Sequence, residues 1–526
     1  MVQVRAGETY HELDREEEID GRVAIHDSDH VEVKLDCRLG GAAKSRYRVE
    51  TYFFVPASLG LNENSYTRQH FYNDVQTYLR FKTPTIPLAT LADPESPNSP
   101  LAEIRRLLER SQRNPKDRRL PRQLSYELRM FCCVARARLR DRAKAIRDGI
   151  ARLPEDTERY DVLIADIAAI SERFANELEQ LVTEWRALRA PMLDVTTNTD
   201  TREMYLHADE YISLVVEENI TQLIRSMDRS EFINGQMANA RGRFAERLMA
   251  ERNYRIGARY DTASSANGGE LFVYRRSLLK KLVTSVLWLE VDKQHKGKTL
   301  GDIVAALAAG IAMLFAALAT IFAKYVWMLN TSAFVAAAVV TYMFKDRIKD
   351  WLKRYVSRRI GRFLPDYSVN IRDPMTNEQI GSSRESFGYV SPERVPDAVS
   401  ELRHAQSDSD VARESKKEVI LRYDKEIRIH SKDVIQRMHL AEYDVNDITR
   451  FALWQMLIRA DDPKYAMPIY DPDDDKVRKQ SFRRVYHLNI VMVFHAGTRK
   501  QQTTTMRHLR VIFDKHKIRR LEHVTG

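Results

Sequence analysis

Two short runs of the chain concentrate side chains of the kinds that bind metal ions. They are Asp471, Asp473, Asp474 and Asp475 in the last third of the chain, and His26, Asp27, Asp29 and His30 in the first. Closely spaced carboxylates suit Ca²⁺ or Mg²⁺, but the first run lacks the glycine and the distal glutamate of an EF-hand loop. In the second run the histidines are neither paired with cysteines nor placed at a known catalytic spacing. We therefore predict solvated turns and no metal site.

Nucleophiles and phosphate-binding motifs are equally sparse. Gly40 and Gly41 are not followed by a phosphate-cradling pattern, and the sequence holds neither a Walker A loop nor a G-x-S-x-G elbow. Cys37, Cys132 and Cys133 are the only cysteines, and their spacing gives neither a disulfide framework nor a zinc site. Catalysis is therefore unsupported, no cofactor is predicted, and the bulk of the chain is expected in a reducing compartment.

Basic and aromatic residues alternate between residues 66 and 82, as they do on some nucleic-acid-binding surfaces. An amphipathic helix that packs its rings into a core explains the pattern better. The formal net charge of +10 is largely accounted for by basic clusters that flank an apolar segment. We therefore do not expect a nucleic-acid partner.

That apolar segment departs sharply from the rest of the chain, which has 30% charged residues and a mean hydropathy of -0.46. Residues 303–323 form 21 consecutive positions without a charge, and at about 1.5 Å per residue a helix of this length spans a hydrocarbon layer of about 30 Å. Lys324, Tyr325 and Trp327 follow the run directly, and such aromatic and lysine side chains are favoured at the level of the lipid headgroups. A second apolar run of 13 residues covers 332–344. Together they predict a transmembrane hairpin, although a buried core helix or a re-entrant segment is an alternative for the second run.

Charge around the two apolar runs predicts their orientation. Basic residues precede the first run at positions 275, 276, 280, 281, 293, 296 and 298, and eight more lie between residues 345 and 362, whereas the connection carries Lys324 alone. The positive-inside rule places both flanks, and so both termini, in the cytoplasm. The first residues are charged and lack the apolar core of a signal peptide. With the abundance of Ala and Arg, this favours a bacterial inner membrane. The two basic flanks require an even number of crossings and so predict a two-pass topology.

Small residues recur at four-residue spacing within the apolar runs. The first run carries Ala308, Ala312, Ala316 and Thr320, and the second carries Ala333, Ala337 and Thr341. Such faces allow two helix backbones to approach closely. They could close the hairpin on itself or pack one protomer against another, so a homo-oligomer is an open possibility. The absence of ionisable residues inside both runs argues against a transporter or pump.

Residues 345–363 combine an apolar stripe with many cations, which is the pattern of a helix that lies on a membrane surface. The residues expected at this surface are Lys345, Arg347, Lys349, Trp351, Lys353, Arg354, Tyr355, Arg358, Arg359 and Arg362. Anionic lipid headgroups attract such cations, and the aromatic rings suit the boundary of the bilayer. The alternative is a helix whose apolar face packs on a cytoplasmic domain. The predicted partner is therefore a lipid bilayer with anionic headgroups.

In the rest of the chain, the periodicity of apolar residues distinguishes helical segments from strands. Between about residues 118 and 260 it is helical, and its clearest seam runs at Leu163, Ile167, Ile170, Phe174, Leu178, Leu181, Trp185 and Leu188, close to a heptad repeat. Residues 31–35, 46–55, 482–494 and 507–513 are typical of strands. Residues 68–79 and 447–459 have the apolar spacing of helices.

These patterns lead to one predicted fold class. It is an integral membrane protein with a two-helix transmembrane hairpin, whose cytoplasmic part is mainly α-helical, as a bundle or coiled hairpin, with small α+β domains at both ends. The predicted divisions are 1–100 (N-terminal α+β), 101–260 (helical bundle), 261–299 (amphipathic lead-in), 300–345 (hairpin), 346–364 (basic amphipathic helix) and 365–526 (C-terminal α+β).

The function that follows is a membrane-anchored cytoplasmic scaffold or sensor, with protein partners that the sequence does not identify. An oligomeric channel or membrane-disrupting effector is one alternative, which predicts a ring-like oligomer and conductance. A membrane-bound enzyme is another, for which a cleft with converging ionisable groups would be the sign.

Overall fold

A computed structural model of the protein describes most of the chain. The described residues are 2–4, 19–38, 45–153, 160–229, 231–260, 269–294, 296–326, 332–360, 365–374, 377–405, 418–430, 444–472, 475–498 and 501–524.

Fifteen β-strands lie in the described part of the chain. They are Val2–Val4 (β1), Ile19–Ile25 (β2), His30–Arg38 (β3), Ser45–Pro56 (β4), Val75–Phe81 (β5), Glu290–Gln294 (β6), Tyr367–Arg372 (β7), Gln379–Val390 (β8), Glu418–Ile429 (β9), Asp444–Ala452 (β10), Lys464–Asp471 (β11), Lys476–Arg483 (β12), Tyr486–Thr498 (β13), Gln501–Phe513 (β14) and Ile518–Val524 (β15). Nine form one antiparallel sheet in the order β1-β15-β14-β13-β4-β9-β8-β7-β6. The first and last strands of the chain are thus neighbours.

A second antiparallel sheet, in the order β2-β3-β10-β5, packs on the nine-stranded sheet. Phe53 of β4 meets Phe451 of β10 edge to face, with ring centroids 5.0 Å apart. Between the same sheets, the Lys425 ammonium of β9 is bonded to the Asp447 carboxylate of β10 at 2.5 Å, and both side chains are buried. An aromatic core with one enclosed ion pair therefore holds the two sheets together.

Fourteen α-helices lie in the described residues. They are Arg68–Asp74 (α1), Leu88–Ala92 (α2), Pro100–Arg113 (α3), Leu120–Ala151 (α4), Tyr160–Ala187 (α5), Arg189–Met192 (α6), Thr199–Met227 (α7), Glu231–Gln236 (α8), Ala238–Ala258 (α9), Glu270–Thr284 (α10), Lys296–Val326 (α11), Ser332–Ile360 (α12), Asp397–His404 (α13) and Trp454–Leu457 (α14). Helices α2 to α10 form a layer whose centre is Trp185, stacked on Phe131 at 4.5 Å and on Tyr205 at 5.3 Å. The segment between α10 and β6 contacts the second sheet, where the Leu289 N–H donates to the Leu79 carbonyl oxygen of β5 at 2.9 Å.

The predicted fold class is wrong. Extensive antiparallel sheets run through the molecule, and strands from both ends of the chain share the nine-stranded sheet, so the ends do not form separate α+β domains flanking a helical bundle. Among the described residues one helix, and not two, is long and apolar enough to cross a membrane. The prediction failed because strand pairing joins segments hundreds of residues apart, which periodicity within one segment does not reveal. The predicted domain limits stay a prediction.

The helix predicted for residues 447–459 is also wrong over most of its length. Residues up to Ala452 belong to β10, which pairs with β3 on one side and β5 on the other, and only Trp454–Leu457 is helical. Apolar residues at helical spacing misled the prediction because β10 is buried on both faces, and its buried side chains include the polar Asn446, Asp447 and Thr449. Tertiary pairing has overridden local preference.

Candidate membrane-binding site

Helices α11 and α12 form an antiparallel pair, here called the arm, inserted between β6 and β7. At about 1.5 Å per residue the 31-residue α11 is about 46 Å long. The two strands at its base are paired, with Gln294 opposite Ser368. The chain therefore leaves the nine-stranded sheet along α11 and returns to the same edge after α12.

The return point is held by a residue that the sequence analysis did not single out. One oxygen of the Asp366 carboxylate accepts from Arg68 Nη1 at 2.8 Å, and the other accepts from the Tyr72 hydroxyl at 3.0 Å and from the Phe387 N–H at 2.7 Å. Two elements of the body, α1 with two donors and β8 with one, thus converge on the residue just before β7. The only signal in the sequence is a proline followed by an aspartate ahead of a strand, which predicts a turn and not this anchor.

The surface of the arm is apolar and exposed. On α11 the exposed large side chains are Leu307, Ile311, Met313, Leu314, Phe315, Leu318, Ile321, Phe322 and Tyr325, and on α12 they are Val335, Val339, Val340, Tyr342, Met343 and Phe344. Monomeric soluble proteins rarely expose contiguous apolar patches larger than a few hundred Å². A surface of this kind is typical of a site that contacts a membrane or a partner.

Small residues lie on the opposite side of α11. Ala308 and Ala312 are buried, Ala316 is half-buried, and α12 is the helix with which α11 packs. Thr320 is exposed, with its hydroxyl donating to the Ala316 carbonyl oxygen at 2.8 Å, and Ala323 takes the buried position on the last turn. On α12, Thr341 is half-buried, and the structure describes only the backbone of Ala333 and Ala337. Whether these faces also join protomers stays a prediction.

Basic and aromatic residues begin directly after the apolar part of α12. Arg347 and Lys349 are exposed and Lys345 is half-buried, with its ammonium 4.6 Å from the ring centroid of Tyr342. Trp351 is 80% exposed and lines an open groove of about 660 Å³ on this helix together with Tyr355. Lys353, Arg354, Arg358 and Arg359 continue α12 with only their backbone described, and Arg362 lies outside the described residues. Their role at a lipid surface stays a prediction.

The helix that qualifies as a membrane span is Ala305–Tyr325, 21 residues long, and little of it is buried. One such helix is weak evidence for a membrane protein by itself. The stretch of α12 without Asp, Glu, Lys or Arg runs from Ser332 to Phe344 and, at about 20 Å, is shorter than the hydrocarbon layer of about 30 Å. The two-helix span that the sequence predicts is therefore not supported.

Of the two carboxylate runs, only the one at residues 26–30 retains the geometry of a metal site in the described residues, with Asp27, Asp29 and His30 close together. The Asp27 carboxylate is already engaged, because one oxygen accepts from the backbone N–H groups of Asp29 at 3.1 Å and His30 at 2.8 Å. Partial burial raises the pKa of Asp27, but these bonds and that of the His30 ring outweigh it and lower the pKa to about 2. The cluster therefore closes the β2–β3 turn, and Asp473 and Asp474 of the other run lie outside the described residues.

A buried charge network around one carboxylate lies inside the helical layer. The Asp209 carboxylate of α7 accepts from Trp185 Nε1 at 3.0 Å, Arg189 Nη1 at 2.9 Å and the hydroxyls of Tyr254 at 2.5 Å and Tyr260 at 3.0 Å. Each donor comes from a different part of the layer, so the network ties α5, α6, α7 and α9 together. The full set of partners is what a structural clamp requires.

Comparison of this chain with protein-family models, with curated proteins and with solved structures finds no match.

Proposed function

We propose that this protein attaches to a lipid bilayer through its arm and holds its body of sheets and helices at the membrane surface as an interaction platform. The observation that carries the proposal is the exposed apolar surface of α11 and the first half of α12, followed by exposed cations on α12. Transfer of about 100 Å² of this apolar surface from water to hydrocarbon is favourable by about 2.5 kcal/mol. The free energy of the arm is therefore lower in a bilayer than in water.

The base of the arm supports insertion from one side. Since β6 and β7 are paired neighbours, the chain has to return to the side from which it entered, and the body with both described ends of the chain lies on that side. A bacterial inner membrane with a cytoplasmic body remains our expectation for the setting.

The cations at the end of the apolar surface suit anionic headgroups. Each Lys or Arg near an anionic leaflet contributes about 1 kcal/mol, and the effect decays within a Debye length of about 8 Å at physiological salt. Lys345, Arg347 and Lys349 would thus stand at the headgroup level when the apolar part of the arm lies in the bilayer.

Vesicle flotation tests the proposal. We expect the full chain to float with vesicles of phosphatidylcholine and phosphatidylglycerol, and a chain in which residues 296–364 are replaced by a four-residue glycine-serine linker to stay in the dense fraction. Equal flotation of both chains would show that the arm is not the attachment site, and the proposal would be abandoned.

Charge is tested separately with the triple variant Lys345→Gln, Arg347→Gln and Lys349→Gln. We expect insertion to persist but the preference for anionic over neutral vesicles to fall at least tenfold. The matched control is Lys476→Gln, Arg478→Gln and Lys479→Gln, which removes three exposed cations from β12. An equal loss in the control would mean that general charge, and not the arm, attracts the lipid.

The channel alternative is tested in the same vesicles. Release of an entrapped dye by the full chain, with a defined ring-like oligomer, would favour a pore. Vesicles that retain the dye, with tags at the two ends of the chain equally accessible to added protease, are the results expected for a one-sided anchor.

A further inference from the structure

A cleft of about 710 Å³ opens where the helical layer meets the base of the arm. One wall is a single face of α4 that carries Arg122, Ser125 and Arg129, and the other comes from the segment just before β6, with Ser285 and Trp288. A volume in this range suits a small organic molecule. Neither wall contributes to the surface of the arm.

The inner part of the cleft carries an arginine whose charge is not neutralised. The Arg129 guanidinium donates to the Ser125 carbonyl oxygen at 3.3 Å, to the Ser125 hydroxyl oxygen at 2.8 Å and to the Ser285 hydroxyl oxygen at 3.1 Å. Burial lowers the pKa of Arg129 from its ordinary value. Among the described residues no carboxylate forms an ion pair with it, although half-buried charges are usually paired.

These bonds also orient the group. A guanidinium has five N–H donors, and the three bonds of Arg129 leave one on each terminal nitrogen. The bonds to the two serines fix the plane of the guanidinium. The two remaining N–H donors therefore keep one orientation. The geometry is that of a pre-organised fork for oxygen atoms.

Further donors face the same space. Arg122 lies two helical turns before Arg129, is exposed, and has no ion-pair partner in the described part of the chain. The Ser125 hydroxyl accepts from Arg129 and donates no hydrogen bond to the described residues. Two N–H groups of Arg129, this hydroxyl and a second guanidinium exceed what the two oxygens of a carboxylate can use, and they suit the three terminal oxygens of a phosphate monoester.

The rest of the lining limits the ligand. Trp288, Val286 and Leu289 form an apolar wall for an organic portion, whereas Asp200 and Glu290 are exposed acids of the same cleft. Their charge disfavours a polyanion such as pyrophosphate, because each added negative charge meets two carboxylates at short range.

We propose that this cleft binds a small organic phosphate monoester, with the phosphate on Arg129 and Arg122 and the organic portion against Trp288. The ligand is either a free metabolite or the headgroup of a phospholipid, since both present the same group. Trp288 is two residues before β6, which leads directly into α11. A bound ligand would thus stiffen the base of the arm, whether or not the arm enters a bilayer.

Calorimetry on the full chain in detergent tests the site. Glycerol 3-phosphate is the free monophosphate probe, lysophosphatidic acid is the lipid probe, and glycerol and pyrophosphate are the comparisons. We expect binding of one or both monophosphates, none of glycerol, and weaker binding of pyrophosphate. A lipid source predicts at least tenfold tighter binding of lysophosphatidic acid below its micellar concentration, and a free metabolite predicts equal or weaker binding.

Variants assign the interaction. Arg122→Gln and Arg129→Gln should each weaken monophosphate binding at least tenfold, and Arg113→Gln, an exposed arginine on α3, should leave it unchanged. If Arg129→Gln lowers the melting temperature, the test rests on Arg122→Gln alone, because replacing the exposed Arg122 side chain should not disturb the fold. Unchanged binding by Arg122→Gln, or no binding of either monophosphate at millimolar concentration, would overturn the proposal. The chain lacking residues 296–364 separates it from membrane attachment, since its cleft should still bind glycerol 3-phosphate.

Discussion

At the scale of single residues, buried charged side chains link helices and strands to one another. Asp209 collects four donors inside the helical layer, and Lys425 with Asp447 joins the two sheets. Charged groups are tolerated in a low-dielectric interior when they are paired and hydrogen-bonded. Removing one partner is therefore more damaging than its share of the contacts suggests.

We predict that Asp209→Asn destabilises the protein by about 3–5 kcal/mol, because an amide offers one acceptor and turns its N–H₂ group toward the buried donors. The measurement is urea unfolding followed by tryptophan fluorescence, which also reports on Trp185. Glu246→Gln, an exposed acid on α9, is the control and should change stability by less than about 0.5 kcal/mol. A comparable loss in both variants would refute the clamp.

Glu127 predicts a dependence of stability on pH. Burial, and secondarily the charge of Glu103, raises its pKa from the ordinary 4.5 to about 8. The folded state thus holds this proton more tightly than the unfolded state, so the stabilisation is complete below pH 4.5 and is lost as the pH rises through 8.

The variant Glu127→Gln mimics the protonated side chain and removes this loss. Relative to the natural chain we expect it to be more stable at pH 8.5 by about 2–4 kcal/mol, and within about 0.5 kcal/mol at pH 4. Urea titrations at the two pH values measure the difference. Glu109→Gln, on the exposed side of α3, should show no such divergence, and parallel curves for Glu127→Gln would contradict the assignment.

At the scale of elements, the arm has two distinct sides. Its exposed side chains are large and apolar, whereas the residues that α11 packs inward are alanines, which bring the two helices close together. The same small residues could close the arm on itself or join protomers. Ala312 is fully buried within a single chain, and this favours the former.

A larger side chain at this position should separate the two helices. We predict that Ala312→Leu destabilises the pairing of α11 with α12 by about 1–3 kcal/mol, because the inserted atoms have no space. Hydrogen exchange of the arm amides in detergent is the measurement, and faster exchange confined to residues 296–360 is expected. Ala317→Leu, on the exposed face of α11, should leave the exchange rates unchanged.

At the scale of the whole molecule, the nine-stranded sheet gathers segments from all parts of the chain, including β1 and β15. The arm, by contrast, interrupts the sheet at one place only, between two paired strands. The body is therefore expected to fold without the arm.

Replacing residues 296–364 with a four-residue linker tests this expectation. The linker has only to join neighbouring strands about 4.8 Å apart, and it keeps Asp366 with its three donors. We predict a product that is soluble without detergent, melts cooperatively and stays within about 3 °C of the full chain, since a difference of 1 kcal/mol shifts the melting temperature of a large domain by about 2–4 °C. Aggregation or a broad transition would show that the arm stabilises the body.

Part of the fold could be predicted from the sequence because it is local. Residues 31–35, 46–55 and 507–513 lie in β3, β4 and β14, as their alternation indicated. The seam of α5 is buried from Phe174 to Trp185, but Leu163 and Ile170 on the same seam are exposed, whereas the neighbouring Ile164 is buried. The spacing of apolar residues predicts which face of a helix is suited to packing, and the elements that pack on the helix determine how much of that face is buried.

Some features of the candidate sites could likewise be predicted from the sequence, and others could not. The apolar run of α11 and the cations of α12 could be recognised because their composition alone distinguishes them from the rest of the chain. The anchor at Asp366 and the cleft at Arg129 could not, since their partners lie far away in the sequence and become neighbours only when the sheets and helices pack.

The sequence by itself determined that one stretch of this protein is apolar enough to enter a membrane and that cations follow it, because hydropathy and charge belong to each residue and do not depend on what packs around it. Only the tertiary structure decided that strands from both ends of the chain build one sheet and that both ends of the arm meet at its edge. Backbone hydrogen bonds between strands depend on which distant segment is opposite, and that choice is made by the packing of the whole molecule.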